Sequence, residues 1–441
     1  MMEALHMRRR TLTHLRSLPA LLVLHCGGDP QAPPADMAAP ARRTLDKGLK
    51  WRGDNQARLD AMLAAQGSAS AGYDPARRPL AIFDWDNTVI KNDAGDSTFY
   101  YLLKNSKVLQ PPAKNWRLTS PYLSADAVTA LKAACDALAD PGQPLPTATD
   151  DRCATELISI YDSGSTTGKK AAFASWNYRR MEPAYAWLAQ LLAGYTPEQV
   201  AAFAAAARME NLSNAVGAQQ KIGTYGSVNH YARYYDQQKD LIGALQANGF
   251  DVWVVSASPQ VVVEQWLDTV GVAKDHLIGI RSVVVNGKYT ADLQGCGDVP
   301  DGSNDGMGKV TGNSMITYIE GKRCWINKII HGDAGATAID QRPAAQRHVF
   351  AAGDSDTDVE FLKDATVLKL VLNRNKKELM CHAYNNAGGH WLINPMFLDP
   401  RPQQASVYAC ATSACKSAAG QGVPCTSEDG KPIADQMDTV F

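Results

Sequence analysis

Three apolar runs along this chain each end abruptly in polar residues. Leu80 to Phe83 ends in Asp84 and Asp86, Phe250 to Val255 ends in Ser256, and Val349 to Gly353 ends in Asp354, Asp356 and Asp358. Short apolar runs bounded by polar clusters predict buried parallel strands. Ligands in open α/β sheets bind at the carboxyl ends of such strands, so the polar closures mark where a site is expected. One more strand is predicted over Val367–Leu372, Trp391–Pro395 is expected to close the core, and Asn286-Gly287 between 277–285 and 288–293 predicts a hairpin.

Between the first two runs lies a long insert extending to about residue 235, with Ala-rich helical spacing at 126–139, 183–193 and 197–209. Thr196-Pro197-Glu198-Gln199 supplies an N-cap, a first-turn proline and an early acid for the last of these. Helical spacing also covers 44–66, through Leu45, Leu49, Leu59, Met62 and Leu63, and 236–248, closed by Gly249. A further helix-like pattern carries Trp325, Ile326, Ile329 and Ile330. The expected fold is α/β: a doubly wound (Rossmann-like) parallel sheet core with an inserted α-helical cap domain that closes over the site. The expected division is a leader at 1–26, a linker at 27–43, the core at 44–92 and 236–399, the cap at 93–235 and a Cys-containing tail at 400–441. Residues 296–312, dense in Gly, Asp and Asn, read as a solvated loop, because their acidic spacing does not match a Ca²⁺-binding EF-hand loop.

The chemistry starts from the acid pair. If the chain stays extended, Asp84 and Asp86 share a face, where two carboxylates repel and resist ionising together. Mg²⁺ relieves this, since it takes oxygen ligands from one or two carboxylates together with water and phosphate. A strand end followed by an Asx turn gives the same short pattern, so further segments have to decide. They are the hydroxyl of Ser256, the lysine of Glu320-Gly321-Lys322-Arg323 and the acids of Asp354 to Asp358, in that order along the chain.

With these four segments the sequence resembles the haloacid dehalogenase superfamily, most closely its phosphoserine phosphatase-like branch, over roughly residues 78–395. The resemblance implies a phosphomonoester hydrolase in which Asp84 forms an aspartyl-phosphate and Asp86 protonates the leaving alkoxide, then deprotonates water. It implies that Ser256 bonds the phosphoryl oxygens and that Lys322 offsets their charge. Mg²⁺ would be held by Asp84, the backbone carbonyl of Asp86 and Asp354, while Asp358 would hold the lysine or stand behind the metal. Lys328 lies in the same interval as Lys322, but on the body of the expected helix. Positioning and charge compensation dominate phosphoryl transfer, and this set supplies both.

For the substrate, Asp93 stands where phosphoserine phosphatases place an acid for the ammonium group, whereas their cap arginine is matched here by Leu188 and their fourth-motif asparagine by Thr357. Arg179 or Arg180 would be the replacement for that arginine, or both are surface residues. The cap aromatics Trp176, Tyr178, Tyr185 and Trp187, with some likeness to exported bacterial phosphocholine phosphatases, allow a quaternary ammonium instead. They also fit plain cap core. A broad acid phosphatase and a surface-anchored binding protein on a phosphatase scaffold are the remaining alternatives.

Composition narrows the setting. The apolar content of 45% supports a large core, and 44 basic against 45 acidic residues leave no electrostatic footprint for nucleic acid, so a small-molecule phosphomonoester is the expected partner. Arg8, Arg9 and Arg10 followed by Leu15 to Leu24 form a secretory signal pattern. Its end at Cys26 resembles a bacterial lipoprotein signal, in which Cys26 would be lipidated and anchor the chain in the cell envelope, although His25 stands where a small residue is usual. Eight other cysteines permit full disulfide pairing in an oxidising compartment, with connectivity open and disulfides expected among Cys410, Cys415 and Cys425.

Overall fold

A computed structural model describes residues 42–299 and 315–441. The leader, Cys26, the linker up to residue 41 and the loop beyond residue 299 lie outside the described residues. Six parallel strands form the central sheet, in the spatial order Trp391–Pro395, Leu368–Asn373, Phe350–Gly353, Leu80–Phe83, Asp251–Pro259, Leu277–Ile280. Leu80–Phe83 is central and its neighbours come from much later in the chain. The polar residues that end these strands therefore converge on one edge.

Alternation along the central strand builds two layers. Ala81 and Phe83 pack with Leu59 and Leu63 of the helix Asn55–Gln66 and with Leu241 and Leu245 of Asp236–Ala247. Ile82 faces the other way, towards Trp325 of the helix Glu320–His331, Phe361 of Val359–Asp364 and Leu379 of Lys377–Asn385. Both faces of the sheet are thus covered, as its continuous apolar strands require.

The chain leaves the core through Ile90–Lys91 and returns through Arg233–Tyr234, and these segments pair as an antiparallel ribbon. The segment between them has its own core, in which Phe99, Trp116, Leu157 and Trp187 are fully buried. Its helices include Ala94–Lys104, Ala125–Cys135, Asp151–Ser163, Pro183–Gln190 and Pro197–Ser213. The last of these begins with the capping box of Thr196 and Gln199.

Two expectations need correction. The helical pattern over 44–66 is a helix only from Asn55, because Gly48 and Gly53 weaken it and Gly53 takes a φ of 54°. Leu45 is still buried, its N–H bonded to Asp60 Oδ1 at 2.9 Å. The run 277–285 divides, Leu277–Ile280 extending the central sheet while Ser282–Val285 pairs with Lys288–Leu293. Asn286 and Gly287, with φ of 51° and 75°, make the tight turn of that hairpin.

All eight described cysteines pair: Cys135–Cys153, Cys296–Cys324, Cys381–Cys410 and Cys415–Cys425. The tail lacks regular structure beyond the short pair Cys415–Lys416 and Gly422–Val423, yet it buries Tyr408 and Ile433 and is bound by Cys410 to the helix Lys377–Asn385. Among the described residues, no helix is long and apolar enough to cross a membrane.

Candidate active site

Beyond Phe83 the chain turns tightly, with the Trp85 carbonyl accepting from the N–H groups of Thr88 and Val89 and with Asn87 at φ 61°. Asn tolerates this left-handed conformation better than most residues. The turn aims Asp84 and Asp86 at different partners. Asp84 Oδ1 meets Lys322 Nζ at 2.6 Å, and its Oδ2 accepts from Thr88 Oγ1 at 2.9 Å. Thr88 Oγ1 also lies 3.0 Å from Asp354 Oδ1, so one hydroxyl bridges two carboxylates.

Lys322 is fully buried and sits in the first turn of the helix Glu320–His331. Its ammonium is shared between Asp84 and Asp358, each at 2.6 Å. Two local features hold this helix start in place. Gly321 packs so closely on the Ile316 carbonyl that a side chain there would collide with it. Ile319, just before the helix, has a φ of 45°, a strained conformation for a β-branched residue. Lys328, the other candidate, points away: it donates to the Gly295 carbonyl at 2.6 Å and lies 4.7 Å from the Trp325 ring centre.

Asp358 uses its second oxygen on the N–H groups of Asp354 and Ser355, at 2.9 and 3.0 Å. Gly353 makes room for this, since a Cβ there would come within 2.7 Å of Asp358 Cβ. Of the two roles expected for Asp358, holding the lysine is the one this geometry serves. Asp86 accepts from Ala94 N–H at 2.7 Å through Oδ1, and from Ser256 and Ser258 hydroxyls at 3.1 and 2.8 Å through Oδ2.

Asp84, Asp86, Ser258, Asp354 and Leu188 line a small chamber of about 40 Å³. It opens into a cavity of about 400 Å³ between core and cap, with Asp93, Tyr161, Tyr185 and Arg374 common to both.

A family model of haloacid dehalogenase-like hydrolases matches residues 161–363, which takes in Ser256, Lys322, Asp354 and Asp358. Over that part of its length the chain resembles haloacid dehalogenase-like hydrolases. A conserved protein of unknown function from Anaerococcus prevotii is similar in fold, with 21% identity over 80% of this chain and 94% of that one and a TM-score of 0.58. A protein of unknown function from Bordetella pertussis Tohama I matches at 16% identity over 72% of this chain and 99% of that one, with a TM-score of 0.38. A substrate-bound phosphoserine phosphatase matches at 14% identity over 67% of this chain and 86% of its own, with a TM-score of 0.28. No curated protein matches the sequence.

The oxygen atoms of Asp84, Asp354 and Asp358 lie within 4.8 Å of one another. Four carboxylates, those of Asp84, Asp86, Asp354 and Asp358, face two cations, Lys322 and Arg374. An all-oxygen donor set with excess negative charge suits a hard divalent cation. A second group, Glu378, His382 and Cys415, does not suit a metal, because Cys415 is in a disulfide and Glu378 is paired with Arg179.

Burial raises Asp84 well above the ordinary carboxylate range, as do Asp358 and Asp354, against the pull of Lys322. Burial also raises Asp86 to about 8, and Asp93 adds to this, against the hydrogen bonds from Ala94, Ser258 and Ser256. A carboxyl group that is protonated near neutral pH can give its proton to a leaving oxygen.

The structure revises several sequence expectations. Ser256, expected at the phosphoryl oxygens, is wholly buried behind Asp86 and does not line the chamber; Ser258, two residues on, does. Asp93 lines the cavity while its side chain caps the helix Ala94–Lys104 through Asp96 N–H at 2.9 Å. Arg179 is held by Glu378 and Glu360 at 2.6 and 2.8 Å, and Arg180 by Glu320 at 3.0 Å, so both fasten the cap to the core instead of facing the cavity. Trp187 is cap core, its indole bonded to Thr119, and Trp176 packs against that core, whereas Tyr178 and Tyr185 line the cavity beside Tyr318. Arg374 went unnoticed in the sequence. It pairs with Asp354 at 2.5 Å, and its signal was its place directly after the strand Leu368–Asn373.

Two outcomes follow for the isolated protein. Lys322→Met leaves Asp84 and Asp358 buried and unpaired and is expected to lower stability in urea unfolding by about 3–5 kcal/mol, whereas Lys328→Met, on the far side of its helix, costs about 1 kcal/mol or less. Equal losses would mean that the buried ion pairs do not hold this edge together. The other outcome concerns Asp96, which accepts from Tyr161 at 2.8 Å and which burial raises to about 7. Its native pKa lies above its unfolded value, so the stability it contributes is complete below the unfolded value and is lost as pH rises through about 7. The melting temperature should therefore fall less steeply in Asp96→Asn than in the parent between about pH 5 and pH 8. Parallel curves would refute the assignment.

Proposed function

We propose that this hydrolase cleaves a small phosphomonoester through an aspartyl-phosphate on Asp84. The observation that carries the reading is the convergence of Asp84, Asp86 and Asp354 on one small chamber from two separate strand ends, with Lys322, from a helix start, bonded to Asp84 behind it. The Asp84 carboxylate attacks phosphorus, the ester P–O bond breaks, and Asp86 gives its proton to the leaving alkoxide. Asp86 then takes a proton from water as that water attacks phosphorus, which releases phosphate and restores Asp84. Mg²⁺ held by Asp84, Asp354 and the Asp86 carbonyl would neutralise the phosphoryl oxygens. Lys322 favours the ionised form of Asp84 and orients it, and Ser256 and Ser258 orient Asp86.

The leaving group of this reading is an amino alcohol. Asp93, Asp96 and Glu182 line the adjoining cavity with Tyr161, Tyr178 and Tyr185, a wall of carboxylates and ring faces that suits an organic cation. Phosphoserine is the reference substrate for a primary ammonium and phosphocholine for a quaternary one, the tyrosines favouring the second.

Hydrolysis of p-nitrophenyl phosphate and of phosphomonoesters of amino alcohols, followed with Mg²⁺ and with EDTA, tests this. Turnover should require the metal, fall by about a thousandfold or more in Asp84→Asn, and be faster for the amino alcohol esters than for the aryl ester. No hydrolysis with Mg²⁺ and no binding of a phosphate analogue would favour a binding protein on this scaffold.

The proposed location is outside the cytosol. Four disulfides support it, since such bonds persist in oxidising compartments. Fractionation of the producing cells should recover the protein in the envelope or medium, and recovery in the cytosol would overturn the assignment.

A further inference from the structure

Arg374 stands at the chamber wall on a loop that the irregular tail holds in place. It directly follows the strand Leu368–Asn373, between Asn373 and Asn375. Its guanidinium pairs with Asp354 at 2.5 Å and lines the chamber with Asp84 and Asp86.

Both asparagines are fixed. Asn373 is buried, and its side-chain amide is fully used: Nδ2 donates to Asp438 Oδ1 at 2.9 Å and to the Val440 carbonyl at 2.6 Å, while Oδ1 accepts from Asn375 N–H at 2.8 Å. The last of these bonds closes an Asx turn around Arg374. Asn375, at a φ of 60°, accepts from the Tyr408 hydroxyl and donates to the Pro402 carbonyl, each at 3.0 Å. The partners Pro402, Tyr408, Asp438 and Val440 all belong to the tail.

The tail is itself anchored here. Asp438 is buried and also accepts from the Tyr384 hydroxyl at 2.6 Å and from Gln404 N–H at 2.7 Å. The disulfide Cys381–Cys410 lies two residues beyond Tyr408. A buried carboxylate is costly unless donors compensate it, and apolar side chains would cover a core without that cost. The donors that meet Asp438 therefore set direction as well as cover. An arginine has many rotamers to lose, and a cation fixed in advance stabilises charge without reorganising during a reaction.

We infer that Asp438 and Tyr408, which do not line the chamber, are positioning residues of the active site. They act through Asn373 and Asn375 to hold Arg374 against Asp354. This rests on the phosphatase reading above. The tail, beyond the stretch that resembles the haloacid dehalogenase superfamily, is then a working part of the site.

The experiment measures kcat/KM for phosphoserine and p-nitrophenyl phosphate in Asp438→Asn, Tyr408→Phe and Glu428→Gln, each alone and combined with Arg374→Gln. Glu428 is the control, because it ties the tail to Lys369 near the opposite end of the same strand. Asp438→Asn should lower kcat/KM about tenfold and Tyr408→Phe about threefold, with Arg374→Gln lower than either and Glu428→Gln unchanged. Once Arg374 is replaced, the Asp438 and Tyr408 variants should cost nothing further, since residues that act through one group are not additive with its removal. Tyr408→Phe removes a single oxygen and keeps the comparison open should Asp438→Asn not fold. Equal losses in the Arg374→Gln background, a comparable loss in Glu428→Gln, or full turnover in Arg374→Gln would overturn the positioning role while leaving the phosphatase reading in place. Wild-type protein that hydrolyses no phosphomonoester would overturn that reading and the positioning role with it.

Discussion

The site depends on one buried ammonium group. Lys322 has no exposed surface and lies 2.6 Å from each of two carboxylates contributed by different strand ends. Burying three charges together is expensive, and it persists only where geometry and further hydrogen bonds compensate. Here the compensation is visible. Asp358 also accepts from the N–H groups of Asp354 and Ser355, and Asp84 from the Thr88 hydroxyl. This set of contacts links the central strand, the strand Phe350–Gly353 and the helix Glu320–His331 at the edge where the chamber opens.

Strain and close packing collect around the same point. Ile319 in a conformation unusual for its type, Gly321 against a carbonyl and Gly353 against Asp358 all sit within a few residues of the ion pairs. The disulfide Cys296–Cys324 ties the helix two residues beyond Lys322 to the segment before it in sequence. The lysine is therefore placed by its backbone and is not a flexible side chain searching for partners. A preorganised charge of this kind stabilises developing charge without reorganising during the reaction.

The cap contributes chemistry of a different sort. Its helices bring Asp93, Asp96, Glu182 and several tyrosines to one side of a cavity whose other side is lined by cations from the core and the tail. Arg374 faces both, pairing with Asp354 while its charge reaches Asp93 and Asp96. The irregular tail, which has little secondary structure, thus has two functions: it covers the core through Tyr408 and Ile433, and it brings Arg401 to the cavity.

Much of this was legible along the chain. Buried parallel strands leave continuous apolar runs, a hairpin turn needs two residues tolerant of positive φ, and a cap insert shows helical spacing between strands. Local pattern and backbone chemistry dictate all three, and so the sequence by itself determined the α/β class, the inserted helices and the acids at the strand ends. Side-chain direction is decided by packing between segments distant in sequence, and there the tertiary structure alone was decisive. It turned Ser256 behind Asp86 and Ser258 into the chamber, tied Arg179 and Arg180 to glutamates, and brought Arg374 to Asp354. The pairing of eight cysteines belongs to the same category, because a disulfide needs two Cβ atoms a few ångströms apart and spacing along the chain carries no such information.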